Sequence, residues 1–262
     1  MVIPFYKCNG NNNNFIILLK SEIPENFKLN KKIINKICYN FDKKIADGLI
    51  LFDDINKYKI DYYNNDGTWE TFCLNGLRCC AQIAYKIYNE KKITLISNKK
   101  EYNCTITDNN NIQVNLHLPQ YKLKNISIEG YLGDFIDSGA KHFVIECNDD
   151  NWPNNKKAYV ISKKIRYNKK IFPNGTNVNF YRKIKKNTIE VLTYEKGIEN
   201  LMQSCASGSL ACMYDYYKKH TIIGKIIIKN MGGNLLGEYL NKVNQFSIKG
   251  EAIIEYHSKG EY

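Results

Sequence analysis

The sequence has no window approaching the roughly 20 consecutive apolar residues that a membrane-spanning helix requires. Its opening Met1-Val2-Ile3-Pro4-Phe5 has neither the basic region nor the apolar run of a secretory signal peptide. These two absences lead us to expect a cytoplasmic protein with no membrane partner. There is also no C-x-x-C pair, and the adjacent Cys79-Cys80 is poor ligand spacing, so no metal is expected. Nine cysteines, an odd number in a chain without an export signal, favour free thiols over a disulfide framework. Acidic residues are in deficit, 26 against 38 basic ones, which leaves a formal charge of +12. Such an excess can neutralise phosphates. Here, however, the lysines are scattered among Asn, Ile and Tyr, with no clustered basic helix and no nucleic-acid-binding motif. We read a solvated basic surface that helps to attract an anionic substrate, with no nucleic-acid partner. A non-catalytic basic nucleic-acid-binding protein is the distant alternative.

What is present is enough apolar material, 44% of 262 residues, to pack one large domain or two small ones. The chain also uses one short pattern twice. The first copy starts Cys73-Leu74-Asn75-Gly76 and ends in Cys80, with Tyr85 beyond it. The second starts Cys205-Ala206-Ser207-Gly208 and ends in Cys212, with Tyr217 beyond it. The copies lie 132 residues apart, about half the chain, which suggests two similar halves, each with one cysteine at the start of one helix.

The order of elements supports that duplication. Ile3 to Tyr6 and Phe15 to Leu19 read as strands around an Asn-Gly-rich turn at residues 9–14. Residues 30–41 have helical apolar spacing, and strands are expected at 48–52 and 58–63, the latter closed by the turn Asn64-Asn65-Asp66-Gly67. A helix over 73–88 is followed by strands at 93–96, 102–106 and 112–118. Pro119 and the polar stretch to Asn125 read as the domain boundary, giving halves 1–119 and 120–262, with the last strand free to pack back on the first half. The second half repeats the order: strands at 130–136, 143–147, 178–182 and 189–193, a helix over 207–218, a strand at 226–229, and a hairpin turn at Gly232-Gly233.

A cysteine at a helix start sits beside unsatisfied N–H groups and partial positive charge, which lowers a thiol's pKa. The glycine three residues on allows close backbone approach to a ligand. Two such helix starts could hold one carboxylate. With an amino acid bound this way, one thiolate could remove the Cα proton while the other thiol delivers a proton to the opposite face. The helix N–H donors would stabilise charge spreading onto the carboxylate. The bland reading is that cysteine is simply a core residue, and Cys38, Cys79, Cys80, Cys104, Cys147 and Cys212 are left there.

At these residues the chain resembles the diaminopimelate epimerases, whose C-G-N-G-x-R-C and C-G-[ST]-G stand here as Cys73 to Cys79 and Cys205 to Gly208. The resemblance runs through nearly the whole chain: Gly10 to Phe15, Asn64 to Gly67, Ser138 to Val144, Asn177 to Phe180, Tyr194 to Gly197 and Gly232-Gly233. It implies an α/β (α+β) fold of two pseudo-symmetric halves, each a curved, largely antiparallel sheet around a central helix, with the active site in the cleft between them. It implies an isomerase that epimerises LL-2,6-diaminopimelate to the meso form for lysine and peptidoglycan synthesis, with no cofactor, pyridoxal phosphate included. By the same resemblance Cys73 and Cys205 match the acid/base pair, supported by His142 and Glu195. Asn13, Asn64, Asn75, Gly76, Asn177, Glu195, Lys196, Ser207 and Gly208 match substrate-binding positions. The partner implied is a small amino-acid substrate, and a homodimer is left open.

Several positions depart from the family pattern. Leu74 and Ala206 replace glycines, Ala140-Lys141 stands where a proline precedes the histidine, and a G-x-G is lost at Lys43-Lys44-Ile45. Lys196 replaces an arginine and cannot make a bidentate fork to a carboxylate. A cofactor-independent racemase of another amino acid, such as histidine, is therefore the alternative on the same fold.

Overall fold

The computed structural model describes residues 2–41, 45–56, 58–108, 110–222 and 224–261. Of the G-x-G replacement, Lys43 and Lys44 lie outside the described residues. The chain divides into two compact units, Met1–Asn115 with Lys249–Tyr262, and Leu116–Ile248.

In the first unit, β1 (Val2–Gly10) and β2 (Asn13–Leu19) form a hairpin. Its turn is only Asn11-Asn12, both at positive φ, the backbone that two-residue hairpins favour. Then come α1 (Lys31–Asn40), β3 (Gly48–Asp53), β4 (Lys59–Asn64), β5 (Trp69–Glu70), α2 (Leu74–Tyr88), β6 (Lys92–Ser97), β7 (Lys100–Asp108) and β8 (Asn111–Leu116). Pairings β2/β3 and β4/β6 are parallel, and the rest within this run are antiparallel. β4 carries β5 at Tyr62 and Tyr63 and β6 at Lys59 and Ile60. The chain therefore leaves the β4 edge at β5, forms α2, and returns to the same edge as β6.

Alternation along the strands gives this sheet two apolar faces. Ile3, Phe5, Ile16, Leu18 and Leu49 pack with Ile34, Ile37 and Cys38 of α1. The opposite face meets α2, which is buried without interruption from Leu74 to Ala84 and is therefore a core helix. An Asn89 cap in the left-handed region ends it.

The second unit contains β9 (Gln120–Ile128), β10 (Tyr131–Asp137), β11 (Lys141–Cys147), α3 (Asn155–Arg166), β12 (Asn177–Lys185), β13 (Thr188–Glu195), β14 (Asn200–Met202), α4 (Ala206–Lys219), β15 (Ile226–Asn230) and β16 (Gly233–Leu240). The topology is the same. β11/β12 and β13/β15 are parallel, and β13 carries β14 at one end and β15 at the other, with α4 between them in sequence. Phe143, Ile145, Val178, Phe180 and Leu192 pack with Ala158 and Ile165 of α3. α4 is buried from Ala206 to Tyr216. β17 (Gln245–Glu251) leads out of this unit, and β18 (Ile253–Glu261) pairs antiparallel with β1, as β9 does with β10.

The architecture is the mixed, mostly antiparallel one, repeated in two units. The polar stretch after Pro119, read from the sequence as the domain boundary, forms most of β9. That strand is largely exposed, so it lacks the alternation that marks a half-buried strand, and the turn at Glu129 and Gly130 pairs it to β10. α3 has a weak sequence signal, because its lysine-rich face leaves only a narrow inward stripe of Ala158, Ser162 and Ile165.

Candidate active site

In the first unit, register gathers the candidate residues. Phe15 pairs with Gly48 and Gly48 with Asn64, so Asn13, Asp47 and Asn64 share one end of β2, β3 and β4. Cys73 is the N-cap of α2, in extended backbone, and its Sγ accepts the Gly76 N–H at 3.4 Å. It is only partly buried. Asn75 donates to Oδ1 of Asn13 at 3.2 Å, and Asn13 donates to Oδ2 of Asp47 at 2.7 Å. Asn64 is turned into its own loop: it accepts from Tyr62 Oη at 3.0 Å and donates to Thr68 Oγ1 at 3.1 Å. A Cβ on Gly76 would meet Ile50 Cδ1 at 2.5 Å, so a side chain here requires the tip of Ile50 to shift.

The second unit has the equivalent register. His142 pairs with Asn177 and Val178 with Tyr194, which gathers His142, Asn177 and Glu195 at one end of β11, β12 and β13. Cys205 is the N-cap of α4. Its Sγ lies 3.4 Å from Ser207 Oγ, which lies 3.1 Å from His142 Nε2. His142 Nδ1 is 2.8 Å from Asn179 Oδ1, and Asn179 Nδ2 donates to Thr193 Oγ1 at 2.6 Å.

The Asn179 amide turns its oxygen to His142 and its nitrogen to Thr193, and with this orientation Nδ1 carries the hydrogen and Nε2 accepts from the Ser207 hydroxyl. The Ser207 oxygen is then left to accept the Cys205 S–H. Burial holds His142 neutral, lowering its pKa to about 4 against the Asn179 bond.

Cys205 departs from what its helix start suggests. Burial, reinforced by the Glu195 carboxylate, pushes its thiol up to about 12, and the Ser207 hydroxyl and the Gly208 N–H, which favour the thiolate, oppose this only in part. Desolvation outweighs the helix dipole here, so the thiol is protonated at neutral pH. Asn177 ties the neighbouring loop together: it donates to Lys141 O at 3.0 Å and accepts the Lys196 N–H at 2.8 Å. Ser138 Oγ donates to Ser207 O at 2.8 Å. A Cβ on Gly208 would collide with Asn179 Nδ2, so this glycine too makes room for the protein's own side chain.

The six cysteines assigned to the core are all buried. Sequence reasoning gave no role to Asp47, Arg78, Asn179 or Thr193. Asn179 was findable, two places from Asn177 and so on the same strand face. Arg78 was findable too, three places from Asn75 on one helix. Among the described residues no group of three His, Cys, Asp or Glu could hold a metal ion, and no helix is long and apolar enough to cross a membrane.

Solved structures share this fold across nearly the whole chain. A hydroxyproline epimerase from Agrobacterium vitis superposes with a TM-score of 0.76 at 9% identity, covering 98% of this chain and 92% of that one. A PhzF-family phenazine biosynthesis protein from Enterococcus faecalis gives 0.69 at 12% identity, with both chains fully covered. No family model matches the sequence. Relatives do match. A diaminopimelate epimerase of Hydrogenobaculum sp. is 31% identical over 226 residues, 80% of this chain and 81% of the relative. That of Flavobacterium psychrophilum is 33% identical over 216 residues, 79% and 78%. The two-unit fold with a cysteine capping each buried helix is thus that of an amino-acid epimerase, an isomerase acting on a small molecule. Within that class the chain belongs to the diaminopimelate epimerase family.

Proposed function

We propose that this protein interconverts LL- and meso-2,6-diaminopimelate without a cofactor, with Cys73 and Cys205 as the acid/base pair. The observation that carries this reading is the contrast between the two helix caps. Cys205 is buried beside Glu195, with its S–H aligned on Ser207 and His142. Cys73 is partly exposed, with its sulfur accepting the Gly76 N–H.

In the LL-to-meso direction Cys73 acts as thiolate and takes the Cα proton. The C–H electron pair spreads onto the substrate carboxylate, which the N–H groups at the starts of α2 and α4 stabilise. Cys205 then donates its proton to the opposite face of Cα, completing inversion. The enzyme emerges with Cys73 protonated and Cys205 ionised, the state from which the reverse reaction starts. Asn75, Gly76, Ser207 and Gly208 hold the reacting carboxylate, and Asn13, Asn64, Asn177, Glu195 and Lys196 bind the substrate, its far end included, in a cytoplasmic route to lysine and peptidoglycan.

The test is incubation of LL-diaminopimelate with the protein in D₂O. Conversion to the meso form with one deuterium at the inverted Cα is expected, and no exchange would overturn the assignment. Lys196 in place of the family's arginine favours a second reading, in which the same chemistry acts on another amino acid such as histidine. A panel of free amino acids separates the two, and activity confined to diaminopimelate removes the second.

A further inference from the structure

The unit that carries Cys73 also holds a buried ion that the chemistry above does not use. Arg78 of α2 is fully buried, and among the described residues no carboxylate bonds it. Its Nη2 donates to Asn75 Oδ1 at 2.9 Å and to Asn11 Oδ1 at 2.7 Å, and its Nε to Glu251 O at 3.4 Å. Its Nη1 has no hydrogen-bond partner. Taking a charge out of water against neutral partners alone is expensive, and an apolar side chain of similar volume would fill the space without that cost. Stability therefore does not account for an arginine here. Burial lowers its pKa to about 10, opposed by the Cys79, Cys73 and Cys104 thiols, so it is a cation at neutral pH.

What the guanidinium does is set the direction of two amides. It can only donate, so Asn75 turns Oδ1 toward it and Nδ2 toward Asn13. Asn13 accepts on Oδ1 and must then point Nδ2 at Asp47, whose carboxylate can only accept. A donor-only guanidinium at one end and the accepting Oδ2 of Asp47 at the other impose the same orientation, and both amide oxygens are engaged within the chain. Burial raises the Asp47 carboxyl above its ordinary value, and the Asn14 N–H and the Asn13 amide, both donating to Oδ2, offset that rise only in part. The duplicated fold does not demand this arrangement. The positions 132 residues after Asn75 and Arg78 are Ser207 and Leu210, and the second unit has no ion at that helix position.

We propose that Arg78 and Asp47 are positioning residues. By clamping the two ends they lock Asn13 and Asn75 with their oxygens turned inward, so that these side chains can offer a bound substrate only N–H donors and select a carboxylate over an ammonium group at the Cys73 helix start. The proposal deepens the function above and rests on it for the identity of the ligand.

The test uses the full chain with Asp47→Asn, which is nearly isosteric, Arg78→Met, Arg78→Lys and the double variant Asp47→Asn/Arg78→Met. The first readout needs no substrate: the side-chain amide ¹H–¹⁵N resonances of Asn13 and Asn75 should move in Asp47→Asn, because an amide at 47 lets the chain reverse. The second is wash-in kinetics on LL-diaminopimelate. Each single charge-removing variant should raise KM about tenfold with kcat within about threefold, and the double variant should be no worse than about threefold beyond the worse single one. Arg78→Lys, which restores a donor, should recover most of the loss. Unmoved amide resonances in Asp47→Asn, unchanged KM in that variant, or KM effects that multiply in the double variant would each overturn the proposal. A wild-type protein that performs no exchange would instead overturn the substrate assignment, with the amide resonances still reporting on the clamp.

Discussion

The sulfur of Cys205 lies 3.4 Å from the hydroxyl of Ser207, and that hydroxyl gives its hydrogen to a neutral imidazole rather than to the sulfur. Cys205 is thereby presented as a donor. Its thiol, at about 12, should resist alkylation across the neutral range, while the more exposed Cys73 is modified first. Brief iodoacetamide treatment at pH 7 to 8, followed by peptide mass spectrometry, should find the label on Cys73. Label confined to Cys205 would contradict the assignment of roles.

His142 makes a pH prediction about stability. Its folded pKa of about 4 lies below the unfolded value of 6.5, so between these pH values the unfolded chain binds the extra proton. The contribution is intact above pH 6.5, declines as pH falls toward 4, and is fully lost below that. At about 1.4 kcal/mol per pH unit, roughly 3 kcal/mol is at stake. Denaturant melts of wild type and His142→Asn should show the steeper acid loss in wild type, and parallel curves would refute it.

Gly208→Ala should disturb the same chain from the helix side, since the added methyl group runs into Asn179, which orients His142. A loss of about 1–3 kcal/mol of stability is expected, together with a fall in kcat of at least about tenfold. Full activity would show that the Asn179–His142 orientation does not matter.

Asp215 tests the scaffold rather than the chemistry. It is fully buried and is bonded at 2.8 Å each by Tyr121, Tyr181 and Lys219. Asp215→Ala leaves a lysine and two phenols without that partner and should cost about 3–5 kcal/mol in denaturant unfolding. The activity of the folded fraction should remain within about threefold of wild type. A stability change under about 1 kcal/mol would contradict it.

Lys196 is held through its backbone N–H by Asn177, which places its side chain in a fixed loop. If it pairs with the distal carboxylate, Lys196→Arg supplies a bidentate fork and should lower KM for diaminopimelate severalfold at constant kcat. An unchanged or higher KM would favour the alternative substrate class.

Much of this was legible in the sequence. The repeated cysteine pattern marked α2 and α4 to within a residue or two, because an N-cap followed by a buried apolar run is a local signal. The strands with apolar alternation were also readable. β9 was not, because a strand that is mostly exposed keeps no pattern and owes its existence to its partner. Nor were the roles of Arg78 and Asp47, which depend on hydrogen bonds spanning 62 and 34 residues of chain. The reversed pKa of Cys205 was invisible for a similar reason: the helix start is a local feature, whereas the burial that overrides it comes from the tertiary fold.

The most direct test of the central claim is solvent deuterium wash-in at Cα of LL-diaminopimelate, followed by mass spectrometry and chiral separation for wild type, Cys73→Ala and Cys205→Ala. The account predicts exchange with inversion for wild type and a loss of at least about a thousandfold in inversion for each single variant. Inversion at near wild-type rate by either variant would contradict it.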